Sequence, residues 1–433
     1  MAHTQSALPP PGVSVASITL DEAIRHAQSV ETAYGAAVAD SGIAQAQRGI
    51  ARSTLLPGVV YHNQFIYTQG QTAPHDQTAS NGQSTSSVRF IANNAVHEYV
   101  SQGVVTETIG GGGIADYRRI DAEAAAARAR LEVSRRGLVA TVVGDYYGAL
   151  AADAKAVVAN RALTEASRFG TITKQREAGG EVAHADIVRA ELQQQQRQRE
   201  LNDAVLAADK AHVDLGVLLF SDPTTPYTLA AALDQMPPLP TRAEIDAAAK
   251  SNNPDVRATF EALRSASLEV TAARFAYAPD LSLNYSYGID APQFAIHAPD
   301  GTRNIGYSAS ATLDIPVWDW FATHNRVKQS TIRRTQAKAE LTVTQRRLIA
   351  SLDELYKEAA VAQSQMTLLD QSVQTATLSL HLTNLRYAAG EGTVLEVVDA
   401  QNSLVMAESS RADGAVRYYI ALANLQTLTG NMP

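Results

Sequence analysis

Residues 386 to 402 read RYAAGEGTVLEVVDAQN, and residues 176 to 192 read REAGGEVAHADIVRAEL. An offset of 210 lays one on the other, placing Gly180 on Gly390. In each stretch an Ala-rich helical sequence stops at glycine and restarts a few residues later, which is how two helices are joined by a tight reversal. A turn written twice in one chain signals an internal repeat, and a repeat is sought before any element is assigned.

Working outward, an offset of 222 puts ARSTLLPGVVYHNQFIY (51–67) on AARFAYAPDLSLNYSYG (272–288), with Pro57 on Pro279. The same offset puts ITLDEAIRHAQSVET (18–32) on PTRAEIDAAAKSNNP (240–254), two helix openings with Thr just ahead of acidic residues. The two offsets differ because the first half carries a longer polar loop, TQGQTAPHDQTASNGQSTSS (68–87). Each half therefore reads helix, strand, loop, strand, long helix, turn, long helix. Repeat one covers 18–220, with strands at about 58–68 and 88–102 and long helices at about 116–177 and 183–219. Repeat two covers 240–430, with strands at about 280–290 and 304–317 and long helices at about 325–388 and 394–429.

The strands alternate. Leu281, Leu283, Tyr285, Tyr287 and Ile289 are interleaved with Ser282, Asn284, Ser286 and Gly288, the period of a sheet wet on one side. Ile305, Tyr307, Ala309, Ala311, Leu313 and Ile315 repeat the pattern, Tyr61, Phe65 and Tyr67 follow it more loosely, and RFIANNAVHEYV (89–100) follows it poorly. Pro57 and Pro279 each stand just before a strand, where a helix must stop and no ladder N–H is yet needed.

The long helices carry heptads. From Leu341 through Gln345, Leu348, Leu352, Leu355, Ala359, Ala362, Met366, Leu369, Val373, Ala376, Leu380 and Thr383 to Tyr387 the apolar stripe steps by four and three, the left-handed coiled-coil period. A thinner stripe runs through Ile187, Ala190, Gln194, Arg197, Leu201, Ala204, Ala208, Ala211, Leu215 and Leu218. Stretches 116–177 and 325–388 contain no proline, so each reaches on the order of 90 Å if unbroken.

Composition agrees with thin seams. The 433 residues are 45% hydrophobic but only 6% aromatic, which suits helix pairs better than thick globular cores. A formal charge of −8 argues against a general nucleic-acid binder. The absence of cysteine removes disulfides, thiolate nucleophiles, Cys-ligated metals and a lipidated N-terminal Cys. No run of 18 apolar residues exists, although strands of a transmembrane β-barrel escape that test. The opening MAHTQSALPPPGVSVAS has neither a basic nor an apolar signal region, so the chain either has no export signal or is a mature form. Four strands cannot close a barrel, and an open sheet edge cannot exist in lipid, so strands that span a bilayer must be completed by further chains.

In this order, twice, the helix opening, the Pro-started strand, the strand-to-helix passages (GGGGIADYRRI, IPVWDWFATHNRV) and the turn RYAAGEGTVLEVVDAQNSL resemble the TolC-like outer-membrane efflux proteins over about residues 18–430. The resemblance implies an α+β chain of two tandem repeats. Long coiled-coil helices would form a trimeric α-barrel tunnel, continued by a transmembrane β-barrel with four strands per chain. It implies a homotrimer, a periplasmic adaptor (membrane fusion protein), an inner-membrane transporter and outer-membrane lipid as partners, with no cofactor, metal or nucleic acid. The expected function is a passive exit duct in the outer membrane that extends into the periplasm. The rival reading is a soluble coiled-coil scaffold.

The resemblance also places the candidate residues. The turns at Gly179, Gly180, Gly390 and Gly392 would form the periplasmic tip and the adaptor-docking surface, with glycine supplying positive φ. Asp186, Glu396 and Asp399 would ring the tunnel entrance and select by charge, or else simply complement the helix dipoles. Tyr387 and Arg386 would gate the tip, Tyr387 by a bond to Asp186, unless Tyr387 only ends the seam. Trp318, Trp320 and Phe321 would form an interfacial aromatic girdle or pack under the barrel. The run Gly110 to Gly113 lacks the Lys-Ser/Thr of a phosphate loop and reads as passage from strand to helix. His184, beside the first turn, reads by default as a solvated histidine, with a role in metal-ion export as the alternative. No nucleophile–base or metal constellation is visible, so no enzyme is expected.

Overall fold

The computed structural model describes residues 16–67, 97–230 and 236–430. In chain order the elements are β1 (Ala16–Ile18), α1 (Leu20–Val30), α2 (Thr32–Ser53), β2 (Gly58–Tyr67), β3 (His97–Ile109), α3 (Gly111–Ala178) and α4 (His184–Leu219). They continue with β4 (Tyr227–Leu229), α5 (Arg242–Asn252), α6 (Pro254–Phe275), β5 (Asp280–Ala291), β6 (Ile305–Asp314), α7 (Ala322–Ala388) and α8 (Val394–Thr429). The duplication is visible in the lengths: α1 and α5 have 11 residues each, α2 and α6 have 22, α4 and α8 have 36, and α3 and α7 have 68 and 67.

The chain divides into two units. The first comprises Met1–Gly42, Ala126–Phe260 and Glu340–Pro433. Here α1 and α5 open with matching capping boxes, Thr19 with Glu22 and Thr241 with Glu244, each satisfying orphan N–H groups at both ends of the first turn. One core gathers Ile18, Ala27, Leu138, Val142, Tyr146, Leu215 and Tyr227; another gathers Ile245, Ala249, Leu352, Ala359, Ala421 and Leu425. Alanine along these seams lets helix backbones approach closely. Buried tyrosines fasten the connections: Tyr146 donates to the Ile18 carbonyl at 3.0 Å and Tyr418 to the Pro237 carbonyl at 2.6 Å. Arg136, with its side chain only 8% exposed, pairs with Glu132 at 2.7 Å. It also donates to the carbonyls of Thr427 (3.1 Å) and Asn252 (3.4 Å), two helix C-terminal ends where a cation is favoured.

The α7 seam buries Leu352, Ala359, Ala362, Met366 and Tyr387. Ala362 packs with Tyr418 and Leu422, and Met366 with Ala415 and Tyr419 of α8. In α4 the inward side chain is Gln193, and Gln194 is exposed, so the polar step of that seam lies one residue earlier than its heptad reading. A second row on α7 stays bare: Leu368, Leu378, Leu382 and Leu385 are each more than half exposed.

The second unit comprises Ile43–Ala125 and Glu261–Ala339. It contains an antiparallel sheet in the order β2-β3-β5-β6, its two outer edges unpaired among the described residues. β3 runs past the expected end of the second strand, to Ile109 and not 102, and the expected 88–96, like the loop 68–87, lie outside the described residues. β3 is central, and its alternation is broken because Ser101 and Gly103 share a face with apolar neighbours. Ser101 is satisfied there by Tyr61 (2.8 Å) and Asn63 (2.7 Å), and Gly103 lies between Tyr61 and Tyr287 in the register. Pairing sorts the sheet into two faces. One carries Val59, Tyr61, Phe65, Val105, Leu281, Leu283, Tyr285, Tyr287, Tyr307 and Leu313; the other carries Gln102, Thr106, Ser282, Asn284, Ser286, Ser308, Ser310 and Thr312, with Val60, Ile66, Val100 and Val104 among them. The apolar face is bare: Val59 is 74%, Tyr61 70% and Tyr307 76% exposed.

Candidate functional site: two turns bound to each other

The turn after α3 is a Schellman motif. Gly180 N–H donates to the Glu177 carbonyl (2.7 Å) and Glu181 N–H to the Arg176 carbonyl (2.9 Å). The turn after α7 repeats it, with Gly390 donating to Tyr387 (3.1 Å) and Glu391 to Arg386 (2.9 Å). Of the four glycines, only Gly180 (φ 77°) and Gly390 (φ 82°) have the left-handed backbone. Gly392 is required for space instead, since a Cβ there would stand 3.0 Å from the Tyr387 nitrogen. Gly179 meets neither demand, and its equivalent in the second turn is Ala389.

The two turns are held together by a residue the sequence reading passed over. Arg176, from the last turn of α3, sends its guanidinium across to the Tyr387 carbonyl and lies 4.8 Å over the Tyr387 ring. Its Nε donates to Glu181 at 2.9 Å, and its side chain is 16% exposed. Tyr387 is buried and packs against Phe169 at 5.0 Å, within a cluster that includes Ala190, Val394, Val397 and Val398. Its hydroxyl pairs with Thr173 Oγ1 at 3.1 Å, not with Asp186 as expected. Arg386, the repeat equivalent of Arg176, stays on its own side of the junction, donating to the Glu391 carbonyl (3.3 Å) and standing 3.7 Å from Glu396 of α8. The signal that would have found Arg176 is the leading Arg shared by both stretches at the offset of 210.

Just above this junction α4 and α8 meet through polar groups. Arg197, with its side chain 4% exposed, donates to Glu200 and Asn402, and Gln193 lies 3.2 Å from Asn402.

The three carboxylates separate by role. Glu396 is engaged in a capping box with Thr393 (3.3 Å in both directions), so its charge serves the α8 N-terminus. Asp186 is its repeat equivalent, but the N-cap there is Ala183, which has no oxygen to complete a box. Asp186 and Asp399 have no ion-pair partner among the described residues, and Asp399 is exposed. His184 is paired with Glu177 at 2.8 Å. Among the described residues no group of three or more His, Asp and Glu side chains is placed to hold a metal ion.

In the other unit, Trp318, Trp320 and Phe321 follow β6 and are 64%, 82% and 62% exposed. Trp318 meets Trp320 and Phe321 edge to face at 5.8 and 5.3 Å. Trp320 (φ 55°) and Phe321 (φ 64°) are left-handed, a conformation costing about 1–2 kcal/mol for such residues. Asp319 offsets the cost by accepting the Thr323 N–H at 2.7 Å and capping α7. The Thr323 side chain, and after it that backbone bond, holds the Asp319 carboxyl below the usual range. No helix among the described residues is long and apolar enough to cross a membrane.

Comparison with known proteins shows what these features resemble. Residues 247–431 match the family model described as outer membrane efflux protein. The chain is 26% identical to the pyoverdine export outer membrane protein OpmQ of Pseudomonas aeruginosa, over 95% of this chain and 83% of that one. Its fold matches the CmeC outer membrane channel of Campylobacter jejuni with a TM-score of 0.76 at 16% identity, covering 98% and 90% of the two chains. It matches the open state of the Neisseria gonorrhoeae MtrE outer membrane channel with a TM-score of 0.75 at 21% identity, covering 95% and 89%. These relatives are export and channel proteins rather than enzymes. By repeat, turn and fold together, the chain resembles the TolC-like outer membrane efflux proteins, and that resemblance supports an outer-membrane location.

Proposed function

We propose that the chain is the exit duct of a tripartite efflux or secretion system. It conducts passively what an inner-membrane transporter delivers through a periplasmic adaptor. The observation that carries this reading is the four-stranded sheet, richer in apolar side chains on one face than on the other and with both outer edges unpaired among the described residues. Exposed Val, Tyr, Phe and Leu in such a row are costly in water and favourable in lipid, and open edges in lipid must be paired by other copies. Three copies give a twelve-stranded barrel with a wet lumen. From Asp280 to Ala291, β5 extends about 36 Å; tilted by about 40° it rises about 28 Å, near the roughly 25 Å apolar band of such barrels. Aromatic residues flank that band, with Phe65, Tyr67 and Tyr99 at the loop end of the apolar face and Trp318, Trp320 and Phe321 beyond the helical end.

The bare row Leu368, Leu378, Leu382 and Leu385 supports the same assembly, because a helix in a closed α-barrel needs a neighbour on each side. The paired turns then form the tunnel tip, also the adaptor-docking end. Threefold symmetry makes Asp186 and Asp399 rings of fixed negative charge that favour cations and bind divalent ions. Glu396, tied to its cap, contributes less.

The test is single-channel recording of the purified oligomer in a planar bilayer with divalent cations titrated on each side. Discrete conductance, blocked from one side and relieved by Asp399→Asn, is expected. A folded oligomer that inserts without conductance even when Arg176 is removed would refute the duct.

A further inference from the structure

Glu107 is out of place on the apolar face of the sheet. In the register it stands opposite Leu283, which stands opposite Ala311, and its neighbours along β3 on that face are Val105 and Ile109. Its Oε2 is buried and has no hydrogen-bond partner among the described residues. Glu107 lines an open trough of about 460 Å³ with Pro57, Val105, Leu283, Tyr285, Ala309 and Ala311, and Asn284 and Ser310 also reach its lining. A carboxylate held among apolar groups with an unmet acceptor is costly, and the natural remedy is a cationic donor from outside the chain. Glu107 lies two residues from the end of β3, where α3 begins, so it sits at an edge of the apolar band and not at its middle.

We infer that this trough is a binding site for a phospholipid with a primary-amine headgroup. The inference rests on the membrane-barrel reading above. The headgroup ammonium supplies three N–H donors and a positive charge to Glu107. One acyl chain lies over Ala309 and Ala311, where small side chains leave room between Leu283 and Tyr285. A quaternary choline headgroup has the charge but no donor, and a glycerol headgroup has donors but no charge, so the site discriminates by chemistry and not by apolar contact alone.

Native mass spectrometry of the purified oligomer, equilibrated with equal amounts of phosphatidylethanolamine, phosphatidylcholine and phosphatidylglycerol, tests it. The wild type is expected to retain the ethanolamine lipid about tenfold over the choline lipid, the scale of one charge-assisted hydrogen bond. Glu107→Gln should erase that preference, while Ala311→Leu should reduce retention of all three lipids by filling the trough. Equal retention of the three lipids by the wild type, or an undiminished preference in Glu107→Gln, overturns the inference. Insertion of the same preparations into vesicles as an oligomer is scored separately. Insertion without lipid preference removes only the lipid site, and failure to insert removes the barrel reading along with it.

Discussion

Replacing Arg176 by alanine should open the tip. Three contacts vanish together. The guanidinium bond to the Tyr387 carbonyl is charge-assisted and worth about 1.5–3 kcal/mol. Stacking on the Tyr387 ring at 4.8 Å adds about 0.5–1 kcal/mol at a partly exposed site. The pair with Glu181, whose side chain is 60% exposed, adds a few tenths at most. Contacts sharing one side chain do not add fully, so the combined loss is about 2–4 kcal/mol. If these contacts exist only while the two turns are joined, that loss shifts the closed-to-open ratio by roughly 30- to 1,000-fold.

Tyr387→Phe should do much less. It removes one neutral hydrogen bond to Thr173, whose hydroxyl also donates to the Phe169 carbonyl at 2.9 Å, leaving a cost of about 0.5–1.5 kcal/mol. Arg176→Lys should fall between, since lysine keeps the charge but loses the planar fork and the stacking. Single-channel open probability, with melting temperature as a control for folding, gives the ranking directly. The reasoning fails if Arg176→Ala is as closed as the wild type at full assembly, or if Tyr387→Phe opens the channel more than Arg176→Ala does.

Arg136→Met removes the cation that serves two helix ends and leaves the Thr427 and Asn252 carbonyls short of a donor, so unfolding should occur with about 2–4 kcal/mol less stability, read by denaturant titration. Ala183→Ser gives α4 the cap that α8 already has and should stabilise by about 0.5–1 kcal/mol, while Thr393→Ala should cost about 1 kcal/mol; circular-dichroism melts check both, and equal effects of opposite expectation would contradict the capping assignment. His212 is raised from its ordinary pKa by its bond to Asp153 at 3.0 Å, which joins α4 to α3. A raised histidine contributes fully below its unfolded value of about 6.5 and loses that contribution as pH climbs through the folded value. The stability gap between wild type and His212→Gln should therefore narrow as pH rises above about 6.5, and a gap that widens would exclude the ion pair.

The features legible in the sequence were those written locally and twice. Both capping boxes of α1 and α5 lie in four-residue strings, and the α7 seam needs only the four-three step from Leu341 to Tyr387. The Schellman turns were legible for the same reason, although only one glycine in each carries the positive φ. What escaped was decided by packing between segments. β1 and β4 are three residues each and exist because Ala16–Ile18 finds Tyr227–Leu229, more than two hundred positions away. β3 hid because a central strand flanked by tyrosines can afford Ser101 and Gly103 on its apolar face. Even Glu396 carried a local message that competed with its charge, since Thr393 three residues earlier marks a capping box.

The two turns show how a duplicated element divides its work. Both begin with arginine at the same place in the same hydrogen-bonded turn, so their backbones present the two guanidinium groups alike. The next residue differs: Glu177 follows Arg176, and Tyr387 follows Arg386. Tyr387 offers a buried ring and a carbonyl to a cation from outside, whereas Glu177 turns to His184. Arg176 therefore has a partner across the junction, whereas Arg386 bonds to Glu391 in its own turn and stands near Glu396 in the helix that follows. On the duct reading proposed above, a junction built this way would break on one side alone, with the turn after α7 keeping its internal bonds. The polar seam of Arg197, Gln193 and Asn402 above it suits that motion, because hydrogen-bonded polar groups can exchange partners with water at less cost than an apolar seam can be pulled apart.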